Sequence, residues 1–338
     1  MLNGVRRLSV YVIEVTWSYE NPDRPDPPLL MKLIQIENEF REKPSQALQY
    51  LPLLETELDT DHDGDRRMVA RNIRRISDKY PSHVLPITPK LFDTLEVDDT
   101  ETVLEILDTL QNLTEINPTL AENHVDELKP ILFHKNQKHH EKAANILSKL
   151  AIHQPNEVKD IIQTLTEERD ISELDVATLC LLGRYIKENR SFGLQFIDEI
   201  ADMARDADGR REANALGVLA DISNTYPEKL HGEIELFAET LHADDDKTKT
   251  NAAYILEQIS VEYPEKVRET ESIEERLARL LDADNEDLRS SAATTLGNIV
   301  AESAKNKLRR KTRMDPSKQV RKAAERAVEK IEKENHKL

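Results

Sequence analysis

Between Pro227 and Leu241 the apolar residues Leu230, Ile234, Leu236, Phe237 and Leu241 recur at helical spacing among charged and polar ones. The pattern predicts an amphipathic helix opened by its proline, whose fixed φ suits a first turn and whose missing N–H is not needed there. The acidic run Ala243-Asp244-Asp245-Asp246 follows, and predicts a loop that caps the next helix and favours its dipole. A second apolar stripe, Ala252, Ala253, Ile255, Leu256 and Ile259, marks that helix, and Tyr263-Pro264 ends it. One such hairpin cannot bury both of its faces, so neighbours must stack on it.

The unit repeats. Pro44, Pro81, Pro118, Pro155, Pro227 and Pro264 are separated by 37, 37, 37, 72 and 37 residues. The step of 72 reads as two periods of 36, with Ser191 where a proline is missing. A second ruler, Asp61, Asp99, Asn136, Asp170, Asp208, Asp246 and Asp284, advances by 38, 37, 34, 38, 38 and 38. Two punctuation marks at one period predict an all-α chain, an α-α superhelix (solenoid) of about seven helical hairpins with a period of about 37 residues.

Composition fits this class. Hydrophobic residues are 38% and aromatic residues 4% of the chain, which suits thin two-layer repeats with small cores. Eight glycines in 338 residues leave few positions for phosphate loops or tight hairpins. One cysteine excludes a disulfide framework and any multi-cysteine metal site. No run of about 18 apolar residues is present, so no transmembrane helix is expected, and the expectation is a cytoplasmic protein.

Leu288-Arg289-Ser290-Ser291-Ala292-Ala293-Thr294-Thr295-Leu296-Gly297-Asn298-Ile299, preceded by Asp284, resembles the second-helix signature of HEAT repeats. Val320-Arg321-Lys322-Ala323-Ala324 after Asp315-Pro316 is a further copy, and Glu212-Ala213-Asn214-Ala215-Leu216-Gly217 a weaker one. The likeness to the HEAT and armadillo-like superhelix runs from Met31 to Ile331. It implies a right-handed superhelix and a scaffold or adaptor function. It also implies that the last helix of each unit lines the concave face.

The ends depart from the repeat. Residues 1–28 hold a roughly alternating run, Leu8, Val10, Val12, Val15, Trp17 and Tyr19, then a proline-rich linker; the repeats are expected to stand without them. Residues 29–304 form the repeat array. Residues 305–338 carry 13 Lys or Arg against 5 Asp or Glu, within a chain of net charge −18. They are read as a basic capping helix and tail, in which a short basic stretch replaces a proper first helix.

Candidate chemistry is sparse. Asp59-Thr60-Asp61-His62-Asp63-Gly64-Asp65 follows the opening of a calcium-binding loop, but Ala70 stands where the bidentate glutamate belongs; a capping loop without metal is expected. His134, His139 and His140 cluster with no fourth ligand in sight, and a solvent-exposed loop is expected there. Cys180, inside Ala177-Thr178-Leu179-Cys180-Leu181-Leu182, reads as an inert packing residue. No catalytic constellation, cofactor or metal is expected.

Binding residues follow from subtracting the apolar stripe from each second helix. Positions i, i+3 and i+7, aligned by the proline ruler, give Met68, Arg71, Arg75; Glu105, Asp108, Asn112; Lys142, Asn145, Lys149; and Thr178, Leu181, Tyr185. Asn214, Gly217, Asp221; Asn251, Tyr254, Gln258; and Ser291, Thr294, Asn298 complete the row. Asparagine recurs, and an amide both donates to and accepts from a peptide backbone; the resemblance implies a similar row in armadillo proteins. Tyr185 and Tyr254 are read as large side chains left on a polar surface. Charge alternates from Arg71 and Arg75 to Glu105 and Asp108 to Lys142 and Lys149, which suits a protein ligand of mixed charge. The expected function is a non-catalytic, monomeric scaffold that takes a protein or extended peptide on its concave face. Two alternatives belong to the same resemblance: a nucleic-acid-associated protein using the basic tail, as in HEAT-like alkylation-repair glycosylases, and a HEAT-like bilin lyase. The first needs a basic concave face and the second a chemically equipped pocket, so neither nucleic acid nor a membrane is the expected partner.

Overall fold

The computed structural model describes residues 27–207 and 209–336, and every element among them is helical. The strand-like run and linker of residues 1–26, and Asp208 of the acidic ruler, lie outside the described residues. The chain divides into two compact units with the boundary between Val158 and Lys159.

In the first unit the long helices are α1 (Pro27–Glu42), α2 (Asp63–Lys79), α3 (Thr100–Thr114) and α4 (Gln137–His153). Each packs on the next. In the second they are α5 (Val176–Glu188), α6 (Gly209–Ser223), α7 (Asp246–Glu262) and α8 (Glu286–Asn298), followed by α9 (Lys305–Met314) and α10 (Lys318–Asn335). Here α5 packs on α6, α6 on α7, α7 on α8 and α8 on α10. The apolar stripe of α7 is wholly buried at Ala252, Ala253, Ile255, Leu256 and Ile259.

Within the described residues the acidic ruler falls at or beside the helix caps. Asp99 accepts from the Thr102 N–H and Asn136 from that of Lys138. Asp245 and Asn285, each one residue from its mark, cap α7 and α8. Asp170 caps only the short turn Ile171–Glu173, and Asp175 caps α5.

The proline-led segments differ from expectation. Pro227 to Leu241 is not one helix but the turns Pro227–Lys229 and His231–Glu233 and the helix Ile234–Thr240. Its apolar residues are still buried. In the first unit second prolines at 52, 86 and 89 interrupt the corresponding segments, each lacking a donor and crowding the preceding turn. Between Pro264–Glu269 and Ile273–Leu280 the break is Ser272, at φ 58°. The basic stretch after Ala304 is also corrected: Lys305–Met314 is an unbroken helix packed on α10, since neither proline nor glycine interrupts it.

Two close fits tie the end of the second unit together. A Cβ added to Gly297 of α8 would lie 2.6 Å from the Cα of Ala327 on α10, so glycine sets that approach. Just beyond α8, Val300 adopts φ 55° while the Ala301 N–H donates to the Leu296 carbonyl at 3.0 Å. That bond closes a helix end whose left-handed position favours glycine. Val300→Gly should therefore raise stability by about 1 kcal/mol, read as a higher denaturant midpoint at unchanged slope. A lower midpoint would mean that the packing of the valine side chain outweighs its backbone strain.

Candidate functional site

The predicted outward row lies on the long helices, and in the first unit most of it is occupied by contacts between neighbouring helices. Arg71 Nε stands 3.0 Å from Glu105 Oε1, and Arg75 Nη1 2.6 Å from Glu37 Oε1. Lys142 pairs with Asp108, and Lys149 with Glu115 at 3.0 Å. Asn112 donates to Asp78 Oδ1 at 2.7 Å. The alternation of charge is thus a set of lateral ion pairs across adjacent helices. Burial would raise the pKa of the Glu37 carboxyl, but Arg75, with Arg41 and Arg71, holds it below its ordinary value. Asn145 borders a shallow depression of about 520 Å³ beside Asp108 and Lys142.

In the second unit the expected α5 positions are wrong. Thr178 and Leu181 are fully buried, and Tyr185 is only 4% exposed. Its ring packs edge-on against Phe192 at 5.2 Å. The cause is a one-residue shift of the ruler. The Tyr226 N–H closes on the Ile222 carbonyl immediately before Pro227, and the Asn189 N–H closes likewise on Tyr185 immediately before Arg190. Arg190, not Ser191, therefore holds the missing proline's place, and the outward positions become Ala177, Cys180 and Arg184. Of the looser α8 row, Ser291 is buried and Asn298 donates to Ser260 Oγ at 2.9 Å.

With that correction the outward positions of three helices converge on one groove of about 420 Å³. Cys180 and Arg184 of α5, Asn214, Gly217 and Asp221 of α6, and Asn251 and Tyr254 of α7 line it, with Lys247 at one side. Missing side chains make its depth. At Gly183 a Cβ would lie 2.8 Å from Val218 Cγ2, whereas at Gly217 the nearest atom would be Asn251 Nδ2 at 3.6 Å. Glycine is required by packing at Gly183, and at Gly217 it leaves room. Asn251 donates to the Ala213 carbonyl at 3.0 Å, Lys247 reaches Asn214 Oδ1 at 3.4 Å, and the Tyr254 hydroxyl donates to Asn224 Oδ1. Burial raises the pKa of the Asp221 carboxyl, against the opposing pull of Lys187, Arg190 and Arg184. The Tyr254 hydroxyl is also raised by burial, with Glu257 and Asp221 adding to it. Gln258 sits half-buried further along α7.

Helix α2 begins inside the acidic loop, capped by His62; Asp63 pairs with Arg66 at 2.6 Å and Asp59 with Lys90. Among the described residues no group of three or more His, Cys, Asp or Glu is arranged to hold a metal ion. The histidine loop is corrected: His139 and His140 lie in the first turn of α4 and are buried. The His139 ring bonds the Thr100 carbonyl at 3.1 Å, and His140 bonds the Leu132 carbonyl. Burial, reinforced by His134, lowers the His139 pKa. Cys180 is half-exposed on the groove wall and not sealed in a core. No described helix is long and apolar enough to cross a membrane.

No family model matches the chain. No curated protein matches it in sequence. The crystal structure of an engineered protein matches it with a TM-score of 0.68 at 19% identity, covering 85% of this chain and 81% of that one. A second engineered protein matches with a TM-score of 0.40 at 18% identity, over 73% and 96%. The first of these is a likeness of fold.

Proposed function

We propose that the chain is a HEAT-like helical solenoid acting as a non-catalytic scaffold, and that its long helices present a protein or extended peptide with a concave binding face. The observation that carries this reading is the groove over α5, α6 and α7. It brings Asn214, Asp221, Asn251 and Tyr254, four residues expected from the sequence to bind a partner, around one depression. Amides, a phenol and charged groups surround small residues there, a mixture that suits a polypeptide's alternating backbone and side chains. Selection of peptides from a random display library against the full chain tests the reading, with Gly217→Trp as the control. Because a Cβ at Gly217 meets nothing closer than 3.6 Å, the indole should fill the groove while leaving the fold intact. Selected peptides should bind this variant about 100-fold more weakly. Equal binding to both proteins, or no selected peptide, would contradict the proposal.

A further inference from the structure

In the first unit, five cations on the long-helix face have carboxylate partners on or at the end of a neighbouring helix: Arg67 with Asp99, Arg71 with Glu105, Arg75 with Glu37, Lys142 with Asp108 and Lys149 with Glu115. The second unit lacks this arrangement at the groove. Arg184 and Lys247 line it from α5 and α7 and are both exposed. Among the described residues neither stands in an ion pair. Lys187 and Arg190 lie close enough to act on the Asp221 carboxyl, and they too have no paired carboxylate among the described residues. Arg190 Nε is buried without an acceptor. Against these cations stand Asp221 on the groove wall, Glu188 and Glu257 nearby, and Asp245, on whose carboxyl Lys247 acts. In a protein of net charge −18, the charged side chains that line this concavity are thus two cations, Arg184 and Lys247, and one anion, Asp221. At ordinary salt, fields from charges more than about 10 Å away are screened, so these local cations decide what the groove attracts.

We infer that the groove takes an acidic peptide segment, with Asp or Glu carboxylates of the ligand meeting Arg184 on one wall and Lys247 on the other. This rests on the peptide-binding reading above and adds the ligand's chemistry to it. Asp221 opposes a ligand carboxylate on its side, and so restricts where the ligand's charges fall. The two kinds of groove residue should therefore respond with opposite signs.

Cys180 is the chain's one cysteine and stands on the groove wall, so its alkylation rate reports occupancy in the full-length protein. The probes are a blocked Glu-Ala-Glu-Ala-Glu pentapeptide, its Gln-Ala-Gln-Ala-Gln counterpart and a single-stranded oligonucleotide. At about 0.15 M salt and millimolar concentration the glutamate peptide should slow reaction with iodoacetamide by about threefold or more, with the protection fading as the salt is raised toward about 1 M. Arg184→Gln should abolish protection and Asp221→Asn should strengthen it. Arg184 is exposed, so unchanged melting of its variant keeps the comparison valid. Equal protection by the glutamine peptide would overturn the acidic preference while leaving the peptide groove in place. No protection by either peptide, or a decrease with Asp221→Asn, would overturn it as well. Stronger protection by the oligonucleotide would replace the occupant with a polyanion. Protection that grows with protein concentration alone would replace it with a second copy of the chain.

Discussion

Replacing Arg289 by alanine should destabilise the second unit by about 3–5 kcal/mol, the usual consequence of leaving a buried charge without its partner. The Arg289 and Asp315 side chains are 8% and 1% exposed. Two parallel bonds join them, Nε to Oδ2 and Nη2 to Oδ1, both at 3.0 Å. Arg289 Nη1 also donates to the Ala283 and Asp284 carbonyls at 2.8 and 2.7 Å. One guanidinium thus fastens the turn before α8 to the turn between α9 and α10. Asp315→Ala should cost about as much, and the double variant less than the sum of the two. Burial would raise the Asp315 pKa, but Arg289, the Ser317 N–H and Lys311 outweigh it and hold it below the ordinary value. A depressed carboxylate stabilises the fold fully above its unfolded pKa of about 3.9, and that stability is lost as the pH falls through the lower folded value. Asp282, bonded by Lys307 and Lys311 and lowered to about 2, loses its contribution in the same range. Urea titrations should show a steep loss of wild-type stability below about pH 4, with a shallower loss in Arg289→Ala. Parallel acid profiles for the two proteins would disprove the role given to this pair.

Gly297→Ala should destabilise by about 3 kcal/mol, reversing the gain of up to about 1 kcal/mol expected inside an ordinary helix. The new methyl would sit 2.6 Å from Cα and 2.7 Å from Cβ of Ala327. Neither atom can rotate away, so α8 and α10 would have to separate. Gly217→Ala is the matched control, because its Cβ meets only Asn251 Nδ2 at 3.6 Å; it should be neutral or mildly stabilising. The denaturant midpoint should fall in Gly297→Ala and stay level or rise in Gly217→Ala. A stable Gly297→Ala protein would mean that this helix contact is not close.

The long helices and their caps were legible because both depend on local signals: apolar spacing fixes each buried stripe, and Asp99 and Asn136 cap within three residues of their own position. The proline-led helices were harder to read, because a single interior Pro52 or Pro86 overrides an otherwise amphipathic pattern. At Arg190 the ruler failed for lack of a proline, which moved the expected site from Cys180 and Arg184 to the buried Leu181 and Tyr185. The Asn189-Arg190 pair, standing where Tyr-Pro stands elsewhere, was the available signal. Lateral pairing depends on how neighbouring helices align, yet it too left a trace. Arg71 and Glu105, Asp78 and Asn112, Asp108 and Lys142, and Glu115 and Lys149 are each 34 residues apart. His140 was misplaced because its partner is a backbone carbonyl, at Leu132, which no residue type announces.

Amide hydrogen exchange of the full chain, with and without a peptide taken from the display selection, tests most directly whether the long-helix face is the binding surface. Protection should concentrate in Val176–Glu188, Gly209–Ser223 and Asp246–Glu262 and should disappear in Gly217→Trp. Protection confined to Ile234–Thr240 and Ile273–Leu280, or an exchange pattern that the peptide leaves unchanged, would contradict the account.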